Sequence, residues 1–384
     1  MTTPTRSAED GLNALQQGRT LEAFEILALA VASGDNRPNS LRGLAYAARA
    51  AGKPEQCLQA AEQLLSADPT NIEAMILKAD ALKASGDARK ATAFYLAAVQ
   101  GAANQNPGHL AAEIERAKKE CANAAIHYEE FLREKVRALG IFDGSGHARG
   151  EQTLDVLFGR KQIYYQQPEK FYFPELPQVQ FYDPNTFAWT KDLIAQTDTI
   201  RAELEAVLSN EDGFEPYVPA TSSGGTPHVR DNALMGNADW GAFHMMKDGV
   251  TIEKNARRCP ATMKALESVP RPNVSGKSPI ALFSRLKPGA HIPPHTGLMN
   301  TRIICHLPLI VPAGCSIRVG NQERSWKMGE MLIFDDSIEH EARNASASER
   351  VILLFDIWRP ELSEDERSFV STVFAAIEDY GVFT

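Results

Sequence analysis

The chain has 384 residues, enough for two or three domains, and its 43% hydrophobic and 23% charged content is typical of a soluble globular protein. A net charge of −9 without lysine- or arginine-rich runs argues against a general nucleic-acid-binding protein. We find neither a signal-peptide core nor a run of 18 apolar residues, so we expect no membrane span and a cytoplasmic protein.

Residues 1–139 are predicted to form an α-helical repeat domain. Glycines recur every 34 residues, and small or apolar side chains recur in the same phase: Gly18, Gly52 and Gly86; Ala23, Cys57 and Ala91; Leu27, Ala61 and Tyr95. A helix–turn–helix unit of 34 residues resembles the tetratricopeptide repeat, which stacks into a solenoid. A non-repeating helical bundle with coincidental spacing is the alternative. A further helix over about residues 109–139 is expected to cap the stack.

Residues 140–177 are predicted to be a linker and wrapping segment. The sequence from Gly140 is rich in glycine and polar residues, which indicates a break in the helical pattern. Aromatic side chains and prolines then alternate without a helical period, and we expect this part to wrap onto the domain that follows.

Residues 178–384 are predicted to form the second domain. One helix is expected over Thr190 to Leu208, because its apolar residues recur at three- and four-residue spacing. Short strand-like runs separated by turn residues follow: PIALFSRL, TRIICHLPLIV, CSIRV, EMLIF and RVILLFDIWR. Five or more such strands in about 80 residues favour an antiparallel jelly-roll barrel over a parallel sheet.

The chemistry of this domain is expected to centre on two histidines. His295 and His340 lie 45 residues apart, each beside a predicted strand, and their imidazoles could bind one metal ion. Arg350, one strand further on, could hold a dicarboxylate. This combination suits a non-haem iron oxygenase that uses 2-oxoglutarate. The usual third ligand, a carboxylate two residues after the first histidine, is missing because position 297 is glycine.

Residues 283–362 resemble the catalytic core of the aspartyl/asparaginyl β-hydroxylase family. The HTG string at 295–297 and the FDDSIEHE string at 334–341 carry the resemblance, and a weaker likeness extends upstream through GNADWGAFHM and NARRCPATMKALESVP. The animal members also carry tetratricopeptide repeats ahead of this domain. The family fold is a double-stranded β-helix, a cupin-like jelly roll with flanking helices.

The resemblance implies a role for each matching residue. His295 and His340 become the iron(II) ligands, and Gly297 matches the glycine that the family has in place of aspartate. Ser284 and Arg350 match the positions that hold the far carboxylate of 2-oxoglutarate, and His306 matches the histidine at its near end. O2 is the second cosubstrate.

One position departs from the family, and several roles stay open. The animal enzymes have arginine where this chain has Ile304, two residues before His306. Arg302 should point to the same face of the strand, where it either contacts cosubstrate or substrate or lies exposed at the barrel rim. Trp240 and His244, in a loop-like segment, are candidates for the substrate entrance, with core packing as the alternative for Trp240. Arg230, Arg257 and Arg258 could attract an acidic substrate or simply be exposed.

The leading hypothesis is therefore an iron(II)- and 2-oxoglutarate-dependent dioxygenase. It would hydroxylate the β-carbon of an Asp or Asn residue in a peptide, protein or small metabolite, releasing succinate and CO2. Two alternatives remain: a non-catalytic tetratricopeptide adaptor with a degenerate barrel, and a different metal-dependent cupin-like enzyme. The repeats are expected either to recruit a protein through their groove or to pack on the oxygenase domain.

Overall fold

The chain divides into a helical unit, Met1–Phe158, and a sheet-containing unit, Gly159–Thr384. The structure is a computed structural model, and it describes residues 7–103, 108–140, 145–210, 213–219 and 236–381.

The helical unit begins with three helix–turn–helix pairs and a longer seventh helix. Its helices are α1 (Ala8–Gln16), α2 (Thr20–Ala32), α3 (Pro38–Ala50), α4 (Pro54–Ala67), α5 (Ile72–Ala84), α6 (Ala88–Ala102) and α7 (Ala111–Ala138). Gly18, Gly52 and Gly86 lie in the turns inside the pairs with φ of 74°, 67° and 86°. Only glycine adopts this conformation readily, which explains the 34-residue spacing.

The in-phase side chains pack between the helices, as the repeat predicts. Ala23, Cys57 and Ala91 are buried at equivalent places in successive pairs. At the end of the stack, Ile114 and Ala117 of α7 join the cluster formed by the last pair. Helix α7 therefore caps the stack, because it covers an apolar face that no further repeat would bury.

The predicted linker contains a helix, so that part of the prediction is wrong. Helix α8 (Ser145–Leu157) follows α7, and Arg133 of α7 donates hydrogen bonds to Glu151 and, at 2.8 Å, to Asp155. The glycines of this stretch suggested a break. The boundary between the two units instead follows Phe158, inside the predicted linker.

The second unit is built on two antiparallel sheets. Its strands are β1 (Phe181–Tyr182), β2 (Glu215–Pro216), β3 (Trp240–Lys247), β4 (Val250–Thr251), β5 (Ala281–Leu286), β6 (His291–His295), β7 (Arg302–Ile310), β8 (Cys315–Val319), β9 (Gln322–Ser325), β10 (Leu332–Phe334), β11 (His340–Asn344) and β12 (Arg350–Trp358). The larger sheet has the order β1-β10-β7-β12-β5-β3-β2 with β4 paired to β3, and the smaller one the order β6-β11-β8-β9. This is the predicted antiparallel jelly-roll class.

Helices pack on the outer face of the larger sheet. They are α9 (Thr190–Ala195), α10 (Thr197–Leu208), α11 (Glu253–Ala256) and α12 (Pro260–Ala265). The last helix, α13 (Glu364–Tyr380), packs in a separate cluster with Val274 and Trp358. Ile200 and Leu204 of α10 join the same cluster as Phe283 of β5 and Leu353 of β12. The helix predicted over 190–208 is therefore two helices, which meet at Gln196. Because the other face of this sheet is also covered, β7 and β12 are buried along almost their whole length.

Strand β6 is the least expected element, because Pro293 and Pro294 cannot donate ladder hydrogen bonds. It is tolerated because β6 is an edge strand of the smaller sheet. The pairing with β11 also shifts register between His340 and Ala342, opposite the prolines. Such bulges re-aim neighbouring side chains, and here the bulge comes immediately before His295.

Across the described parts of the chain, no helix has the length and apolar character to cross a membrane.

Candidate functional site

The two sheets enclose a cavity of about 470 Å³. All eight site residues proposed from the sequence line it: Trp240, His244, Ser284, His295, Arg302, His306, His340 and Arg350. They come from β3, β5, β6, β7, β11 and β12, so both sheets contribute. The folding of the sheets therefore brings together side chains that lie up to 110 residues apart in sequence.

The two histidines face each other across one strand pair. His340, the first residue of β11, is the register partner of His295, the last residue of β6. Their ring centroids are 4.1 Å apart. Two imidazoles at this separation can share one metal ion.

Backbone carbonyls fix the orientation of both rings. Nδ1 of His295 lies 2.8 Å from the oxygen of Pro293, and Nδ1 of His340 lies 3.1 Å from the oxygen of Ile338. A carbonyl oxygen only accepts, so each Nδ1 carries the proton and donates it. When such a ring is neutral, its lone pair lies on Nε2. Burial, together with His295, holds the pKa of His340 well below its usual value, so its ring is neutral as a ligand must be.

The gap left by Gly297 is filled by another carboxylate. A Cβ added at Gly297 would lie 2.1 Å from Oδ2 of Asp336, and the Gly297 N–H donates to the Asp336 backbone oxygen at 2.6 Å. Asp336 also lines the cavity. Within the described ranges, no three His, Cys, Asp or Glu side chains gather as a metal site. The described donors would therefore suit a centre with two histidine ligands, whose remaining positions exogenous ligands would fill.

Asp336 is the functional candidate that the sequence did not reveal. Burial raises the pKa of its carboxyl to about 7, although Arg302 opposes the shift. Its Oδ1 has no hydrogen-bond partner in the described structure. A buried, unpaired acceptor beside the histidines is suited to a water or ligand hydrogen in the cavity. In the sequence Asp336 is marked only by its place in the FDDSIEHE string, four residues before His340.

Arg302 is buried, which excludes the alternative in which it lies exposed at the barrel rim. Its Nη1 donates to Asp356 Oδ2 at 2.9 Å and to Ser278 Oγ at 3.0 Å, and its Nη2 lies 3.9 Å from Asp336 Oδ2. It lines the cavity with Ile304 and His306, as strand alternation predicts. Alternation gives the face of a strand, whereas the burial of that face depends on what packs against it.

We expect a carboxylate restored at position 297 to weaken metal binding. In Gly297→Asp the new Cβ would overlap the Asp336 carboxylate, so the free energy of unfolding should fall by about 1–3 kcal/mol. The double variant Gly297→Asp/Asp336→Ala should regain the wild-type free energy of unfolding, because removal of the Asp336 carboxylate leaves room for the new side chain. Chemical denaturation and cobalt(II) titration check this. A single variant that bound metal more tightly than the wild type would contradict the packing described.

Asp336 should also make stability depend on pH. Its folded pKa of about 7 lies above the usual aspartate value of 3.8, so the folded state holds the proton more tightly than the unfolded state does. Its contribution to the free energy of unfolding is therefore fully present below about pH 4 and is lost as the pH rises through about 7. Metal-free Asp336→Asn should lack this decline, which is worth a few kcal/mol. Urea denaturation from pH 4 to 8 measures it, with exposed Asp365→Asn as the control; an equally steep decline in Asp336→Asn would contradict the assignment.

Arg350 is a buried cation without a carboxylate partner among the described residues. Its Nη1 donates to the Ser284 backbone oxygen at 3.4 Å, its Nε has no partner, and its Cζ lies 4.8 Å from the Trp326 ring centroid. Burial lowers the pKa of its guanidinium to about 10. An unneutralised charge in a dry cavity is costly, so this end of the cavity favours an anion.

Two hydrogen-bond donors accompany Arg350. Trp240 Nε1–H donates to Ser284 Oγ at 3.2 Å, which leaves the serine hydrogen for a ligand. Trp326 Nε1–H donates to His306 Nδ1 at 3.3 Å. Burial and Arg350 hold the pKa of His306 well below its usual value, so the ring is neutral with its proton on Nε2. The cavity therefore offers a cation, a hydroxyl and an imidazole N–H.

Trp240 and His244 lie on strand β3, which corrects their prediction as part of a loop. Trp240 is buried and stacks on Tyr217, with centroids 3.9 Å apart at 11°. It thus both packs in the core and lines the cavity. Nδ1 of His244 is buried and has no hydrogen-bond partner among the described residues, and burial, aided by Lys247, lowers the pKa of its ring to about 4. Strand β3 was not predicted because both of its faces are buried, so its sequence does not show the alternation of polar and apolar residues that marks a half-exposed strand.

Two of the three arginines suggested to attract an acidic substrate, Arg257 and Arg258, do not line the cavity. Arg257 is exposed and pairs with Glu253, and Arg258 lies over the Phe243 ring, so neither lines the cavity. Arg230 lies outside the described residues.

The site lies within a stretch that is similar to known hydroxylases. Residues 195–360 match the family described as aspartyl/asparaginyl beta-hydroxylase. Aspartate beta-hydroxylase domain-containing protein 2 of Xenopus tropicalis is 32% identical over 217 residues, 55% of each chain. The human aspartyl/asparaginyl beta-hydroxylase is 38% identical over 138 residues, 36% of this chain and 18% of that one.

One bacterial relative is named as a lipid hydroxylase. The ornithine lipid ester-linked acyl 2-hydroxylase of Rhizobium tropici is 34% identical over 191 residues, which is 49% of this chain and 63% of that protein. The chain spans about half the length of the aspartate beta-hydroxylase domain-containing relatives that it matches.

Proposed function

The C-terminal unit belongs to the aspartyl/asparaginyl β-hydroxylase family, and from that premise we propose that the protein is an iron(II)- and 2-oxoglutarate-dependent dioxygenase. Its substrate is a carbon–hydrogen bond at the β-carbon of an Asp or Asn residue, in a peptide, a protein or a small metabolite. The observation that carries the proposal is the buried Arg350, which lines the cavity that holds the histidine pair and has no carboxylate partner in the described parts of the chain.

His295 and His340 would hold the iron through Nε2. Bound iron(II) supplies the redox chemistry by which O2 converts 2-oxoglutarate to succinate and CO2 and hydroxylates the substrate. The two imidazoles themselves would add no negative charge at the metal. The Asp336 carboxylate occupies the space that a side chain at position 297 would fill, but among the described residues it forms no three-residue metal site with the histidines.

Arg350 and Ser284 would bind the distal carboxylate of 2-oxoglutarate. A guanidinium and a hydroxyl in a low-dielectric cavity recognise a carboxylate strongly, because water does not compete. His306 would donate its Nε2 hydrogen to the other end of the cosubstrate, and Trp326 fixes the tautomer that makes this possible. Ile304 leaves an apolar wall where the animal enzymes have a cation. Arg302, two residues earlier on the same face of β7, would supply a cation to this part of the cavity and contact cosubstrate or substrate.

The helical unit is proposed to recruit a peptide or protein substrate. Tetratricopeptide stacks present a groove suited to extended or helical segments. Shaping of the oxygenase entrance is the second role open to it. A preference for long over short substrates would favour recruitment.

The test is turnover by the purified full-length chain. Iron(II), 2-oxoglutarate and O2 are supplied with Asp- and Asn-containing peptides and with free Asp and Asn derivatives. A lipid with an ester-linked acyl chain is added because of the Rhizobium relative's name. We expect succinate together with a 16-dalton gain on one substrate class. Succinate formation no greater than in a metal-chelated control would favour the adaptor alternative.

A further inference from the structure

Residues 162–177 form a strap that contacts both loops next to the histidines. The strap comes between helix α8 and strand β1, and none of the roles given above to the cavity residues uses it. Its backbone bridges to Ile338 at Gln166 and to Met299 at Phe171. These two points lie two residues before His340 and four residues after His295.

The loop that follows His295 is held by backbone hydrogen bonds. The N–H of Glu169 donates to the Gly297 oxygen at 3.0 Å, and the N–H of Phe171 donates to the Leu298 oxygen at 3.1 Å. The buried Asn300 side chain accepts from the N–H of Phe173 at 2.7 Å and donates to its oxygen at 2.8 Å. The strap thus fixes the path of residues 297–300.

The loop that precedes His340 is held in the same way. The N–H of Gln167 donates to the Ser337 oxygen at 2.7 Å. The next residue, Ile338, provides the carbonyl that orients the His340 ring. A displacement of this loop would therefore rotate a metal ligand.

The amide of Gln166 connects the two loops directly. Its Nε2 donates to Asp335 Oδ2 at 2.7 Å and to the Pro177 oxygen at 2.9 Å, and its Oε1 accepts from Asn300 Nδ2 at 2.9 Å. Asp335 and Asn300 are both fully buried and belong to different histidine loops. The buried Arg359 completes the network, since it donates to the same Asp335 oxygen and to the Asn300 backbone oxygen.

We propose that Gln166 is a positioning residue of the metal centre: it sets the spacing of the two histidine loops through Asp335 and Asn300. The inference rests on the proposed function, because it needs a metal for the histidines to hold. Only an amide suits the position, since one loop requires a donor and the other an acceptor. Groups that orient ligands in this way typically change metal affinity by about 10- to 100-fold when they are removed.

The experiment compares full-length Gln166→Leu with Gln167→Leu, using cobalt(II) as the probe. The control carries the same substitution at the next residue, whose side chain is exposed and whose contact with Ser337 is made by the backbone alone. Calorimetry gives the cobalt(II) affinity, and the visible absorption of the saturated protein reports the ligand geometry. Circular dichroism ensures that every measurement is made below the unfolding transition.

We expect cobalt(II) to bind Gln166→Leu about 10- to 100-fold more weakly, with a shifted absorption spectrum at saturation. Gln167→Leu should match the wild type in both respects. Unchanged affinity in Gln166→Leu, or an unchanged spectrum at saturation, would overturn the inference. If that variant does not fold, Gln166→Glu keeps the shape and the acceptor but loses the donor to Asp335. It should show the same spectral shift, and an unshifted spectrum would again overturn the inference.

Failure of the inference is distinguishable from failure of the proposed function. A wild-type protein that binds no cobalt(II) would contradict both. A wild type that binds cobalt(II) as tightly as Gln166→Leu does would contradict the positioning role alone.

Discussion

The double variant His295→Ala/His340→Ala should lose specific binding of a divalent metal ion, a decrease in affinity of more than about 100-fold. Either single substitution should weaken binding by at least about tenfold. The two rings are register partners with centroids 4.1 Å apart, and the described residues offer no third ligand to retain the ion. Anaerobic calorimetry with manganese(II) or cobalt(II) measures the affinity and the stoichiometry.

His291→Ala is the matched control for the histidine variants. His291 is the first residue of β6, the strand that ends at His295. Its Nε2 lies 2.7 Å from Glu341 Oε2, and it does not line the cavity. Its loss should leave metal affinity unchanged. Wild-type affinity in the double variant would show that the metal binds elsewhere.

Arg350→Met should weaken the binding of 2-oxoglutarate by at least about 100-fold while leaving metal affinity intact. Loss of a buried partner from a charge-assisted pair typically costs about 2–5 kcal/mol. The same substitution should stabilise the protein without ligands, because it removes a buried charge with no carboxylate partner in the described chain. Calorimetric titration with 2-oxoglutarate and thermal unfolding measure the two effects.

The opposite directions of these effects make the Arg350 experiment informative. If Arg350 had a purely structural role, its replacement would make the protein less stable. If it binds the ligand, its replacement lowers the affinity for 2-oxoglutarate and makes the ligand-free protein more stable. Arg343→Met, on the exposed face of β11, is the control and should change neither quantity. Unchanged 2-oxoglutarate affinity in Arg350→Met would remove the main support for the cosubstrate assignment.

The sequence was most informative where strands are regular. Alternation along β7 predicted that Arg302, Ile304 and His306 share a face, and all three line the cavity. The 34-residue glycine spacing predicted the helical pairs, because the turn inside each pair needs a positive φ. In both cases the local backbone conformation requires particular residue types at regular intervals, and these intervals can be recognised in the sequence.

Features that depend on long-range packing could not be predicted. The fit of Asp336 against Gly297 joins loops nearly 40 residues apart, and no local pattern records it. Gln166 lies in a proline-rich stretch, and its two partners are Asn300 and Asp335, far along the chain. Strand β6 was hidden by its prolines, which an edge position and a bulge accommodate.

The most direct test of the central claim is a crystal structure grown with manganese(II) and 2-oxoglutarate, measured for anomalous scattering. The account predicts one manganese peak bound by Nε2 of His295 and Nε2 of His340, with the distal carboxylate of 2-oxoglutarate on Arg350 and Ser284. A cavity that contains neither manganese nor 2-oxoglutarate, or a manganese peak away from the two histidines, would contradict it.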